Sequence, residues 1–352
     1  MMSLVFVLVS LAITQALTSY MPALAMKPVL QTNTEWPTQD WPNTDFSKTD
    51  ITPADIISGG PPRDGIPSID HPRFYPTKDA FLGPNGDFPL DDLEPVIRIE
   101  INGDARAYPL RILIWHEVVN DVVGGVPVVV TYCPLCNAAL VFERTLNGRT
   151  LAFGTSGLLR HSDLVMYDRE TESWWQQFTG QAIVGDMVGQ ELTPVTARIE
   201  SFQLYKTAFP TGKVLVPNDL AARPYDRTPY ARYDAETGLP LLYTGELPPG
   251  IPAMARVISV EDKNGEMLAW SLGLIRRQKE IRHGDLVLRW VKGQSSVLDR
   301  ELVVLGRDIG NVSVQRDQNG TLVDLPHHEA FAFAFHAFHP DSPIFQHLPD
   351  AR

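Results

Sequence analysis

Cys133 and Cys136 are the only two cysteines among 352 residues, and they concentrate the chemistry of the chain. They lie three positions apart in Tyr132-Cys-Pro-Leu-Cys136, a spacing that can close a small disulfide ring or grip a soft metal ion. A ring this short constrains little of the unfolded chain, so stapling explains the pair poorly. Metal binding is favoured. Copper comes first, because thiolates select soft ions and His or Met can complete the set. The nearest such donors are His116, His161 and Met166. Zinc ranks second, since closed structural zinc sites usually carry two paired ligand motifs and only one is present. A thiol–disulfide couple is the competing chemistry, with Cys133, at the end of its strand, as the attacking thiol. Two buried packing thiols are the third reading.

Other residues with chemical potential are less concentrated. His116-Glu117 begins a His-Glu-x-x-His metalloprotease motif, but position 120 is Asn, which excludes it. Asp163, Asp168, Arg169, Glu170 and Glu172 could bind a cation or substrate, and a charged, solvated turn explains them equally well. Trp174 and Trp175, with Asp168 and Arg169, form a candidate small-ligand site, core aromatics being the alternative. His327-His328-Glu329, with His336 and His339, is a candidate second metal patch or a set of surface histidines at a helix end. No Walker A loop, dinucleotide-binding glycine motif or Gly-x-Ser-x-Gly elbow is present, so no nucleotide cofactor is expected.

The elements that must position these residues read as mainly β with a few helices. Alternation on both sides of Asn102-Gly103 predicts a hairpin over 95–108, and Asn147-Gly148 predicts another. Residues 109–120 read as a short helix or turn, and Gly124-Gly125 turns the chain into the strand that leads to Cys133. Residues 164–175 read as strand, turn, strand, and 201–209 as a helix stopped by Pro210. A second block then follows the first. Asn102–Leu110 aligns with Asn264–Leu272, Thr131–Leu140 with Arg289–Leu298 without a gap, Asn147-Gly148 with Asn319-Gly320, and Phe202…Phe209 with Phe331…Phe338. Two related hairpin-rich modules from an internal duplication are therefore expected. In this alignment Cys133 and Cys136 face Val291 and Gln294, and His116 faces Gln278, so only the first block keeps the reactive groups.

The expected organisation is a signal peptide over 1–25, an extended arm over 26–62, a first module over 63–217, a linker or long loop over 218–250, and a second, degenerate module over 251–352. Residues 1–25 carry no charged side chain, contain an apolar run, and end in small residues at Ala23-Leu-Ala25, as an export signal does. An uncleaved N-terminal anchor is the alternative, and no later stretch is long and apolar enough to span a bilayer. An exported, periplasmic or extracellular location follows. Hydrophobic residues make up 44 % and charged ones 20 % of the chain, which suits a protein with a real core. A net charge of −12 argues against nucleic acid or an anionic membrane surface as partner, and no other partner is readable.

Together these motifs resemble an exported prokaryotic family known only as domain of unknown function 3179. The resemblance rests on Asn102-Gly-Asp-Ala-Arg-Ala-Tyr-Pro-Leu110, Trp115-His-Glu-Val-Val-Asn-Asp121, Gly124-Gly-Val-Pro-Val128, Tyr132-Cys-Pro-Leu-Cys136 and Leu164-Val-Met-Tyr-Asp-Arg-Glu-Thr-Glu-Ser-Trp174. It covers roughly Gly65 to Pro340, and several motifs in one order make it specific. It implies no reaction. Tyr-Cys-Pro-Leu-Cys is also similar to the Cys-Pro motif of copper-delivery proteins for cytochrome oxidase. Those have a thioredoxin-like fold, which the hairpin pattern here does not support, so that likeness is an analogy.

Overall fold

Three of the chain's Asn-Gly pairs form hairpin turns with both residues at positive φ. Asn102 and Gly103 have φ of 51° and 80°, Asn147 and Gly148 51° and 78°, Asn319 and Gly320 55° and 91°. Two consecutive positive φ values are what a tight type I′ hairpin turn requires, and Asn followed by Gly tolerates them best. The structure, a computed structural model, describes residues 34–79 and 89–348; the expected signal segment lies outside them. Among the described residues, strands far outnumber the four seven-residue α-helices, and the protein is mainly β. Five sheets of three to five strands make a propeller-like ring, with one further two-stranded hairpin.

The hairpin of Pro95–Ile101 and Asp104–Pro109 centres the first sheet. Ala197–Ser201 flanks it antiparallel on one side, and Lys213–Val216 flanks it parallel on the other. Helix α1 (Leu110–His116) follows the hairpin directly, and α2 (Phe202–Ala208) links the two flanking strands. A second sheet is the meander Val118–Val123, Val126–Cys133 and Ala138–Glu143. A third contains Phe153–Arg160, Asp163–Asp168, Trp174–Gln176 and Ala182–Val184, with Ile57–Ser58 on its edge.

The last two sheets repeat the first arrangement. Arg256–Glu261 and Met267–Ser271 form the central hairpin, His328–Phe331 lies antiparallel beside it, and Ile344–Phe345 lies parallel on the far side. Helix α3 (Leu272–Gln278) follows the hairpin, and α4 (Ala332–Phe338) links the flanking strands. The ends of α1 and α3 correspond closely. Glu117 and Lys279 have φ of 58° and 65°, and their carbonyls accept the amides of Tyr132 and Trp290, each at 2.8 Å. His116 and Gln278 are thus each the last residue of their helix, and Tyr132 and Trp290 each donate to the residue that follows that helix.

Two parts of the sequence alignment need correction. Thr131–Leu140 does not match Arg289–Leu298 without a gap. The strand Leu286–Val291 pairs with Asn311–Gln318, so a long connection that contains Leu298 stands where the first block has a four-residue turn. The first residue of α2 is Phe202 and that of α4 is Ala332, which shifts that match by one position.

The strand carrying Cys133 explains why simple alternation fails at the centre of the fold. Every residue from Val128 to Cys133 is buried, so both faces are covered and the strand reads as a continuous apolar run. Cys133, Cys136 and Tyr132 share one hydrophobic cluster with Ala330, Phe331 and Phe333 from the end of the chain. Between Val216 and Arg256 the chain forms no strand or helix, yet it buries Tyr225, Tyr233 and Met254 in that cluster. The arm before the first hairpin packs on the third sheet, where Trp36, Trp41 and Phe46 contact the ring of Trp174. Gly157 permits this approach. It has φ of 77°, and a Cβ there would lie 2.1 Å from the Pro61 carbonyl oxygen. Among the described residues, no helix is long and apolar enough to cross a membrane.

Candidate metal centre

Cys133 ends its strand and Cys136 is the third residue of the following four-residue turn, which hands the chain to Ala138–Glu143. Asn137 completes this turn at φ 53°, and its amide Nδ2 reaches Glu329 at 3.5 Å while its Oδ1 accepts the Tyr132 hydroxyl at 3.2 Å. The turn is also held from outside by the Phe331 amide, which donates to the Cys136 carbonyl at 2.9 Å. Across from it, His161 and Ser162 form a tight turn with φ of 54° and 65° and deliver Asp163 as the first residue of a wholly buried strand.

These segments bring together three donors. One ligand atom from each of Cys133, Cys136 and Asp163 lies within 4.8 Å of the others, and all three residues are buried. Both cysteines are free thiols. The Cys136 thiol donates to the Ser162 carbonyl at 3.3 Å, and the Cys133 thiol approaches it at 3.8 Å. Asp163 Oδ2 accepts from Gln176 Nε2 at 2.6 Å and from the Phe178 amide at 3.0 Å, whereas Oδ1 is buried without a hydrogen-bond partner. A buried carboxylate oxygen left without a partner is costly, and native structures rarely keep one without a use. A tetrahedral zinc ion sits about 2.3 Å from sulfur and about 2.0–2.2 Å from carboxylate oxygen, so the three atoms need close in only slightly to share one ion.

The local electrostatics favour a cation. Burial raises the Asp163 carboxyl to about 7 and the neighbouring Glu117 carboxyl to about 8, the latter further opposed by Asp163. Burial also pushes both thiols up, and Cys136 is raised further by Cys133 and Asp163. Four acids thus hold their protons because their anions would be desolvated beside one another. A bound cation would reverse that balance.

The other sequence candidates go elsewhere. His116 is engaged at both ring nitrogens, Nδ1 with the Pro67 carbonyl and Nε2 with the Tyr225 hydroxyl, each at 2.8 Å. His161 packs its ring against Phe338 and Tyr243. Met166 is buried in the third sheet opposite Trp175. Trp174 and Trp175 are fully buried; Trp175 Nε1 donates to Asp168 Oδ2 at 2.9 Å. Asp168 also accepts the Thr171 amide and so closes its own turn, while Arg169 pairs with Asp64 and Asp70. His328 lies against the ring of Phe178, with Nδ1 buried and unpartnered, and His339 contacts the same ring. Sequence reasoning named Asp163 only as one of several turn carboxylates. Its usable signal was position: an Asp opening an apolar strand, Leu164-Val-Met-Tyr, that has no polar face.

The fold and this cluster define a mainly β protein with a buried two-thiol, one-carboxyl group that could hold a metal ion. The chain belongs to a family of unknown function, DUF3179, which matches residues 63–342. No curated protein and no solved structure matches it.

Proposed function

We propose that this is an exported metal-binding protein whose ion is held by Cys133, Cys136 and Asp163. The observation that carries the reading is the convergence of these donors around a buried, unpartnered Asp163 Oδ1. Two thiolates and a carboxylate suit zinc better than copper(I), because the carboxylate is a hard donor and the imidazoles that favoured copper are engaged elsewhere. Three protein ligands would leave one position open for water, Glu117 or a small ligand. Residues 1–25 would supply export. Residues 63–217 and 251–352 would be two copies of one ancestral module, joined by 218–250. The shared strand order, helix placement and helix-end geometry support that division.

A thiol–disulfide couple is the second reading, favoured by two adjacent free thiols beside a carboxyl that titrates at about 7. Burial weighs against it, since both thiols are raised and the thiolate is the nucleophile. The test is metal analysis of protein purified from the exported fraction without chelators, beside Cys133→Ser/Cys136→Ser and Asp163→Asn variants. Near-stoichiometric zinc or copper in the wild type, lost in both variants, is expected. Absence of metal from the wild type, with a reversible thiol–disulfide titration in its place, overturns the metal reading.

A further inference from the structure

The segment between Val216 and Arg256 contributes no regular element to the fold, yet one of its side chains reaches into the Cys-Pro-Leu-Cys turn. The Tyr233 hydroxyl donates to the carbonyl of Leu135, between the two cysteines, at 3.0 Å. The same oxygen accepts the Leu241 amide at 3.2 Å. The Leu241 carbonyl in turn accepts the Ser162 hydroxyl at 2.6 Å, and the Ser162 carbonyl accepts the Cys136 thiol at 3.3 Å. These contacts close a circuit. One side of it is Leu135, covalently next to Cys136; the other is Ser162, covalently next to Asp163.

We infer that Tyr233 is a positioning residue for the metal centre, setting the spacing between the cysteine turn and Asp163 through this circuit; the inference rests on the metal reading above. The need for a brace follows from backbone geometry. His161 and Ser162 both have positive φ without being glycine, and Asn137 on the opposite side does as well. Such residues hold their conformation only where surrounding contacts determine it. The Ser162 hydroxyl bond to Leu241 restrains one turn, and the Tyr233 hydroxyl bond to Leu135 restrains the other. Both run through the same short piece of chain, so moving Leu241 moves the two ligand turns together. Packing alone does not call for the hydroxyl. The Tyr233 ring stands edge-on to Phe331 and beside Tyr230, contacts a phenylalanine would keep.

The test uses cobalt(II), titrated into metal-free full-length wild type, Tyr233→Phe, Ser162→Ala and the double variant. Each titration is read by affinity and by the thiolate-to-cobalt and d–d absorption bands, and the melting temperature of each metal-free protein is measured beside it. Outer contacts that orient metal ligands are typically worth about 10–100-fold in affinity. The lower end is expected here, because the Phe331 amide still grips the Cys136 carbonyl. Each single variant should bind cobalt about tenfold more weakly with altered d–d intensity, and the double variant should be no weaker than the singles, as members of one circuit. Wild-type affinity and spectrum in Tyr233→Phe overturn the inference. So do losses that add and simply track the metal-free melting temperature. If Tyr233→Phe does not fold, Ser162→Ala, cutting the circuit at its other end, decides by the same affinity and spectrum. Wild type that takes no cobalt removes the metal reading, and the brace falls with it.

Discussion

Replacing Asp163 with Asn should make the metal-free protein more stable, by an amount that depends on pH. In the unfolded chain this carboxyl ionises near its ordinary value of 3.8; in the fold, burial holds its proton until about 7. Between those values the folded state binds more protons than the unfolded one, so the residue makes stability fall as pH rises. The loss is complete above about pH 7, and the span corresponds to about 4 kcal/mol at 1.36 kcal/mol per pH unit. Asparagine does not titrate, and its carbonyl oxygen can still accept from Gln176 and Phe178. The advantage of Asp163→Asn should therefore be near zero at about pH 4 and grow to several kcal/mol at about pH 8. The histidines at 116, 161, 327, 328 and 339 have lowered pKa values and act in the opposite sense, gaining stability as pH rises toward their ordinary value. Because both proteins carry them, they largely cancel in the difference. Urea unfolding of the pair in chelator, at pH values from about 4 to 8, measures it. A difference that stays constant with pH, or a wild type more stable at pH 8, would refute the buried-carboxyl argument.

Arg256 is buried between Asp234 at 3.0 Å and Glu329 at 2.7 Å; Arg256→Ala leaves the buried Glu329 without a cation, while Arg307 still holds Asp234 at 2.7 Å, and should cost about 3–5 kcal/mol in urea unfolding. Trp174→Ala should cost about 3–5 kcal/mol by leaving a cavity in the aromatic cluster, with the metal content of the protein that folds unchanged. A metal content that falls with it would tie that cluster to the site. With zinc at a hundred times its dissociation constant, wild type should gain about 2.7 kcal/mol, and Cys133→Ser/Cys136→Ser should gain none. Both thiols of the metal-free fold should alkylate at neutral pH at least about tenfold more slowly than a free cysteine, because burial has raised them; equal rates would place them in solvent.

Much of the fold was legible because its turns carry their own instructions. The Asn-Gly pairs at 102–103, 147–148 and 319–320 adopt the torsions their residue types favour, and α2 ends before Pro210 as expected; of the stretch 109–120 read as helix or turn, only Leu110–His116 is helical, and Val118 opens a strand. The cysteine pair was legible as well. Asp163 was harder, since a carboxylate in a turn-rich stretch resembles a solvated one unless the burial of both faces of its strand is known. His116 looked available because a sequence does not show that Pro67 and Tyr225 converge on its ring. The part played by 218–250 was hidden for a related reason: its prolines and polar residues mark a loop, and only tertiary contact shows Tyr233 turned inward. The long connection before Asn311 broke the gapless alignment because nothing local distinguishes it from a hairpin connection.

The grip of Glu329 and Phe331 on the cysteine turn has a consequence for how the chain is made. Glu329 lies 192 residues beyond Asn137, and the Phe331 amide that binds Cys136 is two residues further on. During synthesis the two thiols emerge long before the strand that seals them. For that interval they are open to oxidants and to any passing metal, with neither burial nor the final turn geometry to protect them. A nascent chain halted before His328 should therefore react freely with thiol reagents and lose that reactivity only when the last sheet is completed. Loading of the site would then be a late event in the life of the molecule, timed by the arrival of its own C-terminal strands.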